Sequence, residues 1–187
     1  MEKNPEHIAS QIDAPSDGAP GLPPLEQWHP ELSGDIDIRI ARDGQWLYKG
    51  EPLAREAIVR LFSTILRREA DGEYYLVTPV EKWRITVDDA PLLAHSLEVS
   101  GEGEAQTLSL TTNVGETLKI GDDHPLTVGA YPSGDEPRPV ISVRHGLEAR
   151  VVTSAFYDLA DQVVERSADG GKTVLGVWSR GKFYEIG

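Results

Sequence analysis

The chain has 187 residues, of which 39% are apolar, and it has a net charge of −13 and no cysteine. That length suits one large domain or two small ones, and the missing cysteines exclude disulfides, thiolate metal sites and thiol nucleophiles. The negative field disfavours nucleic acid and anionic membrane as partners.

The N-terminal stretch 1–34 holds six of the 13 prolines and little apolar periodicity. It is expected to bury too little surface to offset its ordering entropy. A flexible Pro-rich tail over 1–21 follows, with Leu22, Leu25 and Trp28 docking onto the body. The first five residues show no apolar segment of the secretory kind, and no run approaches the ~18 apolar residues of a membrane span. A cytoplasmic location is the expectation.

Asp35-Ile36-Asp37-Ile38-Arg39-Ile40 alternates strictly, which predicts a strand with isoleucines inward and charges outward. Asp43-Gly44 signals a hairpin returning through Gln45 to Lys49. A helix is predicted over 52–68, opened by Pro52, with Ala54, Ile58, Leu61, Phe62 and Ile65 on one stripe. Asp71-Gly72 ends it, and 74–77 and 83–87 read as strands around Pro79.

Residues 86–137 hold ten acids and one base. Short alternating runs at 96–99, 107–110, 117–120 and 126–128 predict an all-β segment, followed by a loop over 131–139. Strands are then predicted at 140–144 and 148–152 around His145-Gly146. A helix over 154–166 and a closing hairpin around Arg180-Gly181 complete the chain.

The order strand, turn, strand, helix, Asp-Gly, strand, turn, aromatic strand occurs twice, over 36–85 and 140–186. The fold class is therefore α+β, as an internal duplication of two β-rich subdomains, each with one helix packed on antiparallel strands. The expected units are 22–87 and 88–187. A duplicated architecture is expected to place a cleft between its halves, and domain interfaces are common binding sites.

No phosphate loop or nucleophile elbow is present, so no catalytic residue, cofactor or metal is assigned. Asp122-Asp123-His124 is the one cluster with ligand chemistry, and Asp35 and Asp37 lie about 7 Å apart on one strand face. Together they frame one alternative, a metal-assisted hydrolase. Aromatics beside arginines frame the leading reading, a binding module for a peptide, protein or small ligand. Its candidate binding residues are Asp35, Asp37, Arg39, Trp46, Trp83, His124 and Arg144. A second alternative is a structural protein docking a basic partner through its acidic middle segment.

Gly34–Ile40, Asp43–Trp46, His124-Pro125-Leu126 and above all Leu76-Val77-Thr78-Pro79-Val80-Glu81-Lys82-Trp83 resemble a bacterial family of unknown function, DUF family 1285. The resemblance covers about 22–186. It implies a duplicated fold with a pleckstrin-homology-like C-terminal half, a binding cleft and a role in signal transduction. The sequence departs from the pleckstrin-homology pattern in its two strands after the last helix. It also lacks a basic headgroup loop, Lys119 being the one base in 86–137.

Overall fold

A computed structural model describes residues 4–12 and 22–187. The chain forms two compact units. One runs to Pro91 and takes in His145–Leu147, and the other comprises Leu92–Arg144 and Glu148–Gly187. The break lies a few residues beyond the boundary expected at 87/88.

The first unit opens with helix α1 (Pro5–Ser10), within the tail expected to be flexible. Asn4 caps it by accepting from the His7 N–H at 2.8 Å, Pro5 occupies its first turn, and Ile8 is buried. An N-cap and a preset proline φ lower the cost of nucleating so short a helix. The remainder of the expected tail, 1–3 and 13–21, lies outside the described residues. Leu25 is fully buried while Leu22 is exposed, and the Arg67 guanidinium donates to the Leu25 and Trp28 carbonyls at 3.2 and 3.0 Å.

Six strands follow: β1 (Leu32–Ile40), β2 (Trp46–Tyr48), β3 (Glu51–Pro52), then, after helix α2 (Glu56–Ile65), β4 (Leu66–Arg68), β5 (Tyr74–Val77) and β6 (Lys82–Val87). They form one sheet of order β3-β2-β1-β6-β5-β4. All neighbours are antiparallel except the central pair, β1 and β6, which run parallel. Ile36, Ile38 and Ile40 are buried and Asp35, Asp37 and Arg39 exposed, as the alternation predicts. Helix α2 buries Ile58, Phe62 and Ile65, with Phe62 6.2 Å from Trp46. It is shorter than predicted at both ends. Pro52 belongs to β3, and Leu66-Arg67-Arg68 leave the helix to pair with Leu76-Tyr75-Tyr74.

The second unit holds a sheet of the same plan. Its strands are β7 (Leu92–Ser100), β8 (Thr107–Thr112), β9 (Thr117–Lys119), β10 (Leu126–Ala130), β11 (Pro137–Ser142) and β12 (Glu148–Val151). The order is β10-β11-β12-β7-β8-β9, again with one parallel pair, β12 and β7, at the centre of antiparallel arms. The duplication is therefore real but its register differs from the predicted one. Residues 32–87 correspond to 92–151, so the acidic segment supplies four of the six strands of the second sheet.

Helix α3 (Thr153–Ala160) and a three-stranded sheet, β13 (Val164–Ser167), β14 (Thr173–Ser179) and β15 (Lys182–Glu185), follow that sheet. The helix stops six residues before its predicted end, because Val164–Ser167 pair with Thr173–Gly176 instead. Arg180 and Gly181 both take positive φ, 53° and 79°, the two-residue turn expected there. The small sheet is fastened to β8 by buried polar groups. Ser179 Oγ accepts from the Leu108 N–H at 3.0 Å and donates to the Ile120 carbonyl at 2.7 Å.

Candidate functional site

Of the seven residues singled out from the sequence, five lie in the first unit and two in the second. Asp35 and Arg39 on exposed β1 positions pair with Arg84 and Asp88, each at 2.6 Å. Asp37 stands exposed between them. Trp46 and Trp83 are core residues, 3% and 6% exposed. In the second unit, His124 Nδ1 lies 3.0 Å from the Ser142 carbonyl. Arg144 Nη1 donates to both Glu116 oxygens, at 2.8 and 2.6 Å. Asp122 accepts from Lys182 Nζ at 3.0 Å. Among the described residues no three His, Cys, Asp or Glu side chains group where they could hold a metal ion.

The most distinctive motif of the sequence, Leu76 to Trp83, has a structural job. It is the β5–β6 turn, closed by the Thr78 N–H donating to the Glu81 carbonyl at 2.9 Å. Buried Thr78 Oγ1 accepts from the Val80 and Glu81 N–H groups and donates to Gln11 Oε1 at 2.8 Å. The Glu81 carboxylate accepts from the Trp83 indole at 3.0 Å and from Gln11 at 2.9 Å. It also lies 3.4 Å from His7 Nε2. Burial raises the Glu81 pKa, but the donors from Trp83, Gln11 and His7 outweigh it and leave the carboxyl below its ordinary range. The turn thus fastens the segment after α1.

A second network surrounds Glu69. It pairs with Arg67 at 2.7 Å and Lys82 at 2.8 Å. Burial pushes its pKa up, and the hydrogen bonds from Lys82 and Arg67 bring it below the ordinary value. Next to it, Lys82 Nζ sits 4.7 Å from the centre of the Tyr75 ring. The Tyr75 hydroxyl donates to Asp71 at 2.5 Å, which together with burial pushes the phenol up to about 12. These groups satisfy one another and present no open position.

Cavities with room for a ligand occur in both units: one of about 440 Å³ beside α1 and the start of α2, lined by Tyr48, Leu53 and Arg55, and a smaller one in the second unit that sets an arginine among three rings. Extrapolating from the Ser142 N–H to Pro125 carbonyl bond, alternate β11 N–H groups at 138, 140 and 142 face β10, and those at 137, 139 and 141 face β12. Positions 137 and 139 are prolines and have no N–H to give. Pairing between β11 and β12 accordingly stops at Val140 opposite Arg150. Past that point the two strands diverge around a cavity of about 240 Å³. Glu136, Pro137 and Pro139 form one wall, Arg150 and Val151 another, and Tyr131, Phe156 and Tyr157 supply rings, so the cavity holds one acid and one base. Phe156 and Tyr157 come from the first turns of α3, and Tyr157 is 69% exposed. Aromatics beside an arginine were expected from the sequence, but at Arg39 or Arg144. The signal for Arg150 was the pair of prolines two apart in a strand, read from the sequence as loop.

Two mixed sheets of one plan, with their charged side chains largely engaged with one another, define a duplicated β-rich protein. The N-terminal domain model of a domain of unknown function, DUF1285, matches residues 23–90, and the C-terminal domain model matches 91–186. The chain belongs to the DUF1285 family. It is similar in structure to a DUF1285 family protein from Silicibacter pomeroyi DSS-3, with a TM-score of 0.80 at 45% identity, covering 92% of this chain and 91% of that one. A DUF1285 family protein from Shewanella baltica OS155 aligns with a TM-score of 0.52 at 26% identity, over 67% of this chain and 91% of that one. A comparison with curated proteins finds no match.

Proposed function

We propose that the protein is a binding module, and that its ligand is a small ring-bearing carboxylate or the end of a peptide that presents one. The observation behind this reading is the cavity at the β11–β12 break, where Arg150 stands among Tyr131, Phe156 and Tyr157. A guanidinium carries five donors, so Arg150 can take a ligand carboxylate in addition to the contact it already makes, and rings bury apolar ligand surface with little loss of side-chain freedom. A pleckstrin-homology-like likeness of the second unit and a signalling role belong to the same proposal, as does a regulatory protein partner. Among the described residues no comparable constellation favours hydrolysis.

The test is ligand-observed NMR with N-acetyltyrosine and with its uncharged amide. The carboxylate is expected to bind the native protein, the amide to bind more weakly, and Arg150→Ala and Phe156→Ala each to abolish binding. Equal binding of acid and amide, or binding unchanged in both variants, overturns the reading.

A further inference from the structure

The second unit has a further feature on its opposite strand edge. Strand β10 is one of the two outer strands of the six-stranded sheet. Its odd-numbered residues bond to β11. The Ser142 N–H donates to the Pro125 carbonyl at 3.0 Å before the strand, and the Tyr131 N–H donates to the Glu136 carbonyl at 3.3 Å after it. By alternation, the N–H and C=O groups of Leu126, Val128 and Ala130 point away from the sheet. Strand β15 is likewise an outer strand. The Ile186 N–H bonds to the Leu175 carbonyl at 2.9 Å, which turns the backbone groups of Phe183 and Glu185 outward. Residues of both edges line one groove of about 490 Å³, from Leu126 to Val128 on one side and Phe183 to Gly187 on the other.

Edge strands are normally blunted by charge, proline or a bulge. Five of the six outer strands here are. β3 ends in Pro52, β4 has Arg67 and Arg68, β9 has Lys119, β13 has Glu165 and Arg166, and β15 has Lys182 and Glu185. β10, Leu126-Thr127-Val128-Gly129-Ala130, has no charge, no proline and an unbroken register with β11.

We infer that this groove receives an extended, basic segment of a partner protein, added as a strand to the free edge of β10. The backbone edge supplies the affinity and charge selects the guest. The second unit has fourteen acids and eight bases, and Glu185 is an exposed carboxylate of the groove. A second copy of the chain would bring another −13 to the same edge, so like-charge repulsion opposes self-pairing. The groove shares no lining residue with the cavity at Arg150, so this inference stands or falls separately from the proposed ligand site.

The probe is a fluorescent eight-residue peptide alternating lysine with valine or threonine, titrated by anisotropy. Its control is the same peptide with alternate backbone nitrogens methylated, which keeps the charge and removes the ladder donors. The native protein is expected to bind the probe at least about tenfold more tightly than the control, the order of one or two lost hydrogen bonds. Val128→Pro removes an outward N–H without touching the bonds to β11, and is expected to weaken the probe by a similar factor. Amide exchange at Leu126, Val128 and Ala130 is expected to slow when the probe is bound. Equal binding of probe and control, or no binding of either, overturns the inference. Concentration-dependent dimerisation of the native protein that Val128→Pro abolishes overturns it in favour of a second copy. If Val128→Pro fails to fold, the comparison of the two peptides decides alone.

Discussion

Glu69 is held in an ion-pair network with Arg67 and Lys82. Its folded-state pKa lies below the ordinary 4.5 because Lys82 and Arg67 favour the charged form. A depressed carboxyl contributes stability in full above its unfolded value and loses it as pH falls through the folded value. Glu81 is depressed in the same direction by Trp83, Gln11 and His7 after its burial is offset. Unfolding free energy is therefore expected to drop as pH falls below about 4.5. In Glu69→Gln that slope should be shallower, because the variant has already lost the contribution at neutral pH. Urea titrations at a series of pH values read this directly, and an unchanged slope in the variant would remove Glu69 from the account.

Elements whose pattern is local were legible in the sequence, and those fixed by distant partners were not. The alternation of β1 needs nothing beyond one buried face, and the Arg180-Gly181 turn needs nothing beyond two residues that tolerate positive φ. By contrast, Leu66–Arg68 continue an acceptable helix and become β4 because β5 offers them a ladder. Val164–Ser167 do the same opposite β14. The repeat was visible as an order of elements, but which strands pair in parallel at the centre is not encoded in any local pattern, and so the register of the duplication was missed. Asp35, Arg39 and Arg144, chosen for charge, proved to be paired, and the cavity depends on a ladder interruption whose meaning appears only once β12 is its neighbour. Gly176 is another element-level constraint. A Cβ there would lie 2.3 Å from the Tyr184 carbonyl oxygen and 2.6 Å from the Phe183 ring, which packs edge-on to Trp178 at 5.3 Å. Gly176→Ala is expected to lower stability by about 1–3 kcal/mol through overpacking of the closing hairpin. Chemical denaturation followed by tryptophan fluorescence checks it.

For the molecule as a whole, the charge sets the rules of encounter. With −13 overall and fourteen acids in the second unit, the protein is expected not to sediment with phosphatidylserine vesicles at low ionic strength, although a basic peptide binds. Cosedimentation with the vesicles would show a local basic surface that the charge distribution does not provide. The two DUF1285 domain models match 23–90 and 91–186, so each sheet lies within a domain of the family. The parallel pair at the centre of each sheet has a consequence in time. β1 meets β6 with Asp35 opposite Arg84, and β7 meets β12 with Leu92 opposite Ala149. In each unit the first and last strands of the sheet are thus the ones that become neighbours. The antiparallel arms form from short-range hairpins, whereas the seam between them closes a loop of most of the unit, and late closure of distant contacts slows folding. During synthesis neither sheet acquires its middle until its final strand has left the ribosome, and until then two half-sheets wait with open inner edges.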